Sequence, residues 1–300
     1  MKPFRRCLFG ILLCAGLMVS ATGCQGQAMM EMPGVKPMPA NAQETKQATV
    51  RPIPDRTVVL TFDDAVQSHR DYVAPLLHQL GFNATFYITA CWMENAEHFL
   101  SWDDVAEIHA MGFEIGNHTW THQPFHTPES AEALAAELTQ VEEALAAVGV
   151  PRPVTFGWPG NAFGPEALAV LREAGYVFAR RGMQPEKPYG EVHFGPLLAE
   201  GRYDPLLLPT SGDAYPDWTL EHFIALVDQA KDGEVVVLQF HGVPDIAHPW
   251  VHTPPEMFAQ YMQYLHENDF HVIAMRDLAA YIDPNAPVDD PTARMRYPSE

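Results

Sequence analysis

Short apolar runs alternate with amphipathic segments along most of the chain, and that alternation predicts β-α-β units with parallel strands. The runs place strands at 57–62, 84–88, 113–117, 154–158, 176–179, 206–208, 235–240 and 270–273. Helical periodicity between them predicts helices at 71–80, 102–111, 130–148, 165–174, 220–231, 255–267 and 276–282. The third is the clearest: Leu134, Leu138, Val141 and Leu145 recur at helical spacing, and Thr127-Pro128-Glu129-Ser130 supplies a start. Gly81, Gly112, Gly149, Gly175 and Gly233 follow periodic segments and predict left-handed caps. Units repeated in this way predict an α/β fold, a (β/α) barrel of seven or so parallel strands. An open doubly wound sheet is the competing arrangement.

The pattern fails in three places. Residues 1–23 run from Lys2, Arg5 and Arg6 through an apolar stretch to Ser20-Ala21-Thr22-Gly23, the form of an export signal. Its apolar stretch is shorter than the roughly 20 residues a spanning helix needs. Small residues before Cys24 predict a lipoprotein signal, with Cys24 acylated, and membrane contact only through that anchor. Ala21 stands where such a signal has Leu, which leaves ordinary cleavage as the alternative. Residues 24–55, rich in Pro, Met, Gln and Ala, read as a flexible tether. Residues 180–211 are broken by five prolines and read as an irregular insertion forming a wall of the site, and residues 284–300 as a frayed tail behind a domain at 56–283.

Composition narrows the setting. The chain has 300 residues, 47% of them hydrophobic, enough for one large domain. A net charge of −20 argues against nucleic acid or an anionic membrane surface as partner. With Cys7 and Cys14 in the signal and Cys24 lipidated, Cys91 alone remains, so no internal disulfide is expected in an exported, cell-envelope protein.

In parallel sheets polar function gathers at the carboxyl ends of strands. Here Val58-Val59-Leu60-Thr61-Phe62 ends abruptly on Asp63-Asp64. Two adjacent carboxylates losing water there need a metal ion or a shared proton. His118 and His122 follow the third strand four residues apart, a spacing that lets two imidazoles reach one ion. With one carboxylate they make the Asp-His-His set of an open, catalytic zinc site. An isolated pair of loop histidines is more often solvated or capping; acids placed to meet it shift the balance.

Thr61-Phe62-Asp63-Asp64-Ala65, His118-Thr119-Trp120-Thr121-His122, Asp217-Trp218 and Leu238-Gln239-Phe240-His241 resemble the successive motifs of the polysaccharide deacetylases, the NodB-homology domain of carbohydrate esterase family four. The resemblance covers about 56–283 and implies a distorted (β/α) barrel. It implies a divalent metal, zinc by preference, on Asp64, His118 and His122, with Asp63 as general base and His241 as general acid. Metal-activated water would then remove N- or O-linked acetyl groups from a carbohydrate. Gly160 would lend a backbone N–H to the oxyanion, with Trp158 beside it as a candidate substrate contact. Asp213 or Asp217 would orient His241 and raise its pKa. Trp120 and Trp250, in loops beside these histidines, are candidate sugar-stacking surfaces.

One departure stands out. Gly157 occupies the position where the family carries an Arg that pairs with the base. Arg180 and Arg181 are the candidate replacements, against a surface role for both. Two other functions share the motifs: a metal-dependent amidase or esterase on a small non-sugar substrate, and a non-catalytic carbohydrate-binding barrel.

Overall fold

The computed structural model describes residues 50–298 apart from Tyr189 and Pro287; the expected leader, Cys24 and the tether up to residue 49 lie outside the described residues. The sheet is built around β1 (Thr57–Phe62), buried at all six positions. One edge of β1 pairs in parallel with β8 (Glu234–Phe240). The other is shared by β9 (His271–Ile273) low on the strand and β2 (Thr85–Ile88) at its top. From β2 the sheet continues in parallel through β3 (Glu114–Asn117), β4 (Thr155–Gly157) and β5 (Phe178–Arg180). The short β6 (Leu198–Ala199) runs antiparallel to the start of β8, and β7 (Gly212–Asp213) lies parallel to its end.

Period-two geometry explains why β1 and β8 are apolar throughout. Val58, Leu60, Phe62, Val236, Leu238 and Phe240 face outward into one core. They meet α1 (Ala74–Leu80), α2 (Trp102–Ala110), α5 (Leu220–Val227) and α6 (Pro255–Glu267) there, through Leu77, Val105, Phe223 and Phe258. Val59, Val235 and Val237 face the inside of the curl with Phe178, Leu208 and Ile273. α3 (Pro128–Ala147) and α4 (Pro165–Glu173) cover β4 through Leu134, Leu138, Leu168 and Leu171. Asp63 extends the inner series Val59, Thr61, its N–H donating to the Phe240 carbonyl at 2.9 Å. The alternation that fills the barrel thus delivers this carboxylate to its mouth.

Apart from the changes below, the expected elements are present with ends shifted by four residues or fewer, and the five expected glycine caps have φ between 73° and 101°. Three expectations change. Residues 206–208 are not a strand: Pro205–Leu207 form a single 3-10 turn, because proline fixes φ and Asp204 accepts from the Leu206 N–H at 2.9 Å. Pairing starts at Leu208, whose N–H donates to the Ala179 carbonyl, and Ser211 then donates to Val237. Residues 208–213 therefore bridge β5 to β8 and close the distorted barrel. Residues 276–282 likewise form a 3-10 turn, Met275–Ala280, rather than an α-helix.

The segment beyond Asp283 docks rather than frays. Phe163 and Tyr297 exchange backbone hydrogen bonds at 2.7 and 2.8 Å and stack their rings, while buried Asp290 accepts from Asp204 N–H. An aromatic and a turn-capping acid give this acidic stretch contacts that its composition concealed. Among the described residues no helix is long and apolar enough to cross a membrane.

Candidate active site

The carboxyl ends of the parallel strands converge. Asp64 Oδ1 lies 3.6 Å from His118 Nε2 and 3.5 Å from His122 Nε2, and its Oδ2 lies 3.7 Å from His241 Nε2. Asp63 Oδ2 stands 3.9 Å from His118 Nε2. One donor atom each from Asp64, His118 and His122 falls within 4.8 Å of the others, a group able to hold a metal ion.

The electrostatics fit a cation there. Burial, then repulsion from Asp63 and Asp245, raises the Asp64 carboxyl well above its ordinary range, so this site lacks positive charge. Burial also lowers His118 and His122, keeping the imidazoles in the neutral form that ligates. His118 Nδ1 donates to the Gly157 carbonyl at 2.7 Å, which fixes the tautomer and leaves the Nε2 lone pair toward Asp64.

The backbone is bent to achieve this. Asp64, Ala65, Thr119 and His122 have φ of 79°, 54°, 69° and 59°, the left-handed region non-glycine residues rarely enter. What holds the histidine loop is Glu137, which sequence reasoning missed. Its buried carboxylate accepts from Trp120 N–H at 3.1 Å, Thr121 N–H at 3.0 Å, Thr121 Oγ1 at 2.7 Å and Gln123 Nε2 at 2.6 Å. The available signal was an acid between Leu134 and Leu138 on the apolar stripe of α3. Glu137→Ala should weaken metal affinity about 10- to 100-fold by freeing the loop, measured by competition with a chelator.

Asp63 has a different partner. Arg180 is fully buried, not on the surface, and its Nη2 donates to Asp63 Oδ2 at 2.5 Å while Nη1 donates to Gln239 Oε1 and, at 3.3 Å, to Thr210 Oγ1. Burial opposes ionisation of Asp63, but Arg180 first, with His118 and His241, overcomes it and holds the carboxyl below its usual range. Gly157 and Arg180 are register partners across β4 and β5. The cation absent at 157 therefore comes from the adjacent strand at the same height. Arg181 is buried too, donating to the Gly182 and Met183 carbonyls.

Other expectations for the site are revised. His241 is not raised: burial first pushes it down to about 4, against the pull of Asp63 and Asp245. Asp213 is buried on β7 beside Arg180 and Glu186, and Asp217 is exposed; no hydrogen bond joins either to His241. The acid facing His241 from its own loop is Asp245, buried and paired with His248 at 3.3 Å. Trp158 is a core residue, 0% exposed, its Nε1 donating to the Leu206 carbonyl. Gly160 is exposed in a left-handed turn, φ 56°, after β4. Trp120 is half-buried against the core, and Trp250 is 51% exposed, edge-on to His248. Trp92 also borders the centre, its ring 4.5 Å from His122 and 4.8 Å from His248.

His69 lies directly behind the site, 0% exposed and lowered by burial to about 4. Its folded pKa lies below the ordinary 6.5, so the unfolded chain binds a proton first as pH falls. Above pH 6.5 the proton linkage of His69 takes nothing from stability; as pH falls toward about 4 stability declines, and below that the loss is constant. The decline amounts to about 3 kcal/mol at most. Urea midpoints measured across this range should show that much less acid sensitivity in His69→Gln than in wild type.

The described residues thus form an α/β barrel whose mouth carries an Asp-His-His group able to hold a metal ion, beside an arginine-paired aspartate. Residues 51–179 match the family model described as Polysaccharide deacetylase. A chitin deacetylase from Pestalotiopsis sp. is 31% identical over 124 residues, which cover 40% of this chain and 39% of that protein. The chain thus spans about two fifths of the length of this curated relative. Among solved structures, a putative polysaccharide deacetylase from Mycobacterium smegmatis shares the fold at TM-score 0.55 and 20% identity, over 77% of this chain and 92% of that one. A family 4 acetyl xylan esterase from Clostridium thermocellum does so at 0.52 and 18%, over 81% and 100%.

Proposed function

We propose that this chain is a metal-dependent hydrolase that removes acetyl groups from a carbohydrate polymer, with Asp64, His118 and His122 holding the ion. The observation that carries the reading is the division of labour in the acidic pair. Asp63 is ionised against Arg180, whereas Asp64 is short of positive charge beside two neutral imidazoles. Two histidines and a carboxylate with an open position are an ordinary zinc donor set. A divalent ion bound there supplies Lewis acidity toward an acetyl carbonyl and acidifies a water molecule.

The chain's own groups supply the rest. Asp63, kept anionic and fixed in place by Arg180, accepts a proton from the attacking water. His241, neutral at rest, faces the centre with Nε2; as negative charge develops on the substrate its proton affinity rises, and it takes up the proton that Asp63 removed from water and passes it to the departing nitrogen or oxygen. Trp92 and Trp250 offer aromatic faces to a sugar on the His122 and His248 side. The pattern of residues 1–24 supports an exported enzyme anchored through Cys24. The test is acetate release from chitin oligomers, peptidoglycan and acetylated xylan. Release from at least one of them is expected, and none from any would overturn the reading.

A further inference from the structure

The loop that carries His241 is tied at two points to two consecutive residues that follow β1. Val243 N–H donates to Ser68 Oγ at 2.8 Å. His69 Nε2 lies 3.0 Å from the His241 carbonyl oxygen. That oxygen only accepts, so the hydrogen of the neutral ring sits on Nε2 and Nδ1 is bare. Nδ1 is indeed buried without a partner, and the ring is set among Phe62 and Phe86 at 5.6 and 5.4 Å. A buried imidazole surrounded by phenyl rings, with one nitrogen unsatisfied, costs stability compared with an aromatic hydrocarbon of that size. The one polar contact it makes is to the backbone of the residue read above as the acid.

We propose that Ser68 and His69 are positioning residues that clamp the backbone from His241 to Val243 and so set where the His241 side chain stands relative to Asp64. The clamp joins the acid's loop to the strand end that carries Asp63 and Asp64, so the acid and the aspartates move as one unit. Apart from it, the ladder of β1 with β8 ends at Phe62 and Phe240, followed by a single backbone bond from the Asp63 N–H to the Phe240 carbonyl, before the left-handed turn at Asp64 and the loop at His241. A displacement of about 1 Å at a reacting group costs up to about 100-fold in rate.

This inference rests on the proposed deacetylation and on His241 as the proton donor, and a comparison of leaving groups separates the two. A sugar amine or alcohol needs a proton to leave, whereas 4-nitrophenolate does not. In Ser68→Ala and His69→Phe, kcat for acetate release from the acetylated carbohydrate should fall about 10-fold or more. KM, bound metal and 4-nitrophenyl acetate hydrolysis should stay near wild type. His69→Gln, which can present an N–H at the Nε2 position, should recover part of the loss. Should His69→Phe fail to fold, Ser68→Ala, altered at a half-buried hydroxyl, carries the same test. Equal losses on both substrates, or no loss on either, in an active wild-type background would overturn the clamp alone. A wild-type protein that releases no acetate would overturn the clamp and the function together.

Discussion

Arg180→Met should lose nearly all turnover, about 100- to 10,000-fold, the range a general base supplies. Asp63 is buried at the barrel mouth, and its largest influence is the burial that favours the neutral acid. Remove the guanidinium and that influence gains: the carboxyl of the base moves up from its lowered position, and the activity that survives shifts to higher pH. Stability should fall as well, by about 3–5 kcal/mol, the cost of leaving one partner of a buried pair alone. Arg180→Lys should fall between, because an ammonium cannot span Asp63, Gln239 and Thr210 as the fork does. A second-site Gly157→Arg should not restore activity. A Cβ at 157 would sit 3.0 Å from His118 Nδ1 and 3.1 Å from Tyr87 Cδ2, in the space that lets the Gly157 carbonyl hold His118. Steady-state kinetics across pH, with urea denaturation of the same proteins, reads all of these outcomes.

The second large effect concerns the ion. Substituting Asp64, His118 or His122 by Ala should abolish both bound metal and acetate release, whereas Asp63→Asn should keep the metal and lose turnover. Asp64 also makes a stability prediction of opposite sign. Its carboxyl is raised by burial and by Asp63, so in metal-free protein it is a liability. Asp64→Asn should therefore raise the thermal midpoint of the metal-free protein while removing its affinity for the ion, the signature of a group kept for function rather than for folding.

The legible part of the molecule is that which periodicity controls. Val58 to Phe62 could be read as a strand buried on both faces because each residue obeys the alternation, and Asp63 and Asp64 then had to stand at its end. His118 and His122 were visible for the same reason, as a metal-ligand spacing directly after a strand. What was not legible depends on register between segments far apart in sequence. Arg180 serves Asp63 only because β4 and β5 pair Gly157 with Arg180, a fact that no local pattern encodes. Glu137 is read locally as one more helix acid; its task appears only when α3 is laid against the histidine loop. Trp158 erred the other way: a motif position suggested substrate contact, but the ring is turned into the core beneath β4. Residues 206–208 read as a strand by composition, and proline geometry overrode it.

The most direct test of the central claim is to measure metal content and acetate release on the same preparations of wild type and Asp64→Ala, with circular dichroism confirming that both are folded. The account predicts near-stoichiometric divalent metal and acetate release in the wild type, and neither in the variant. An Asp64→Ala protein that keeps its metal and its turnover would contradict it.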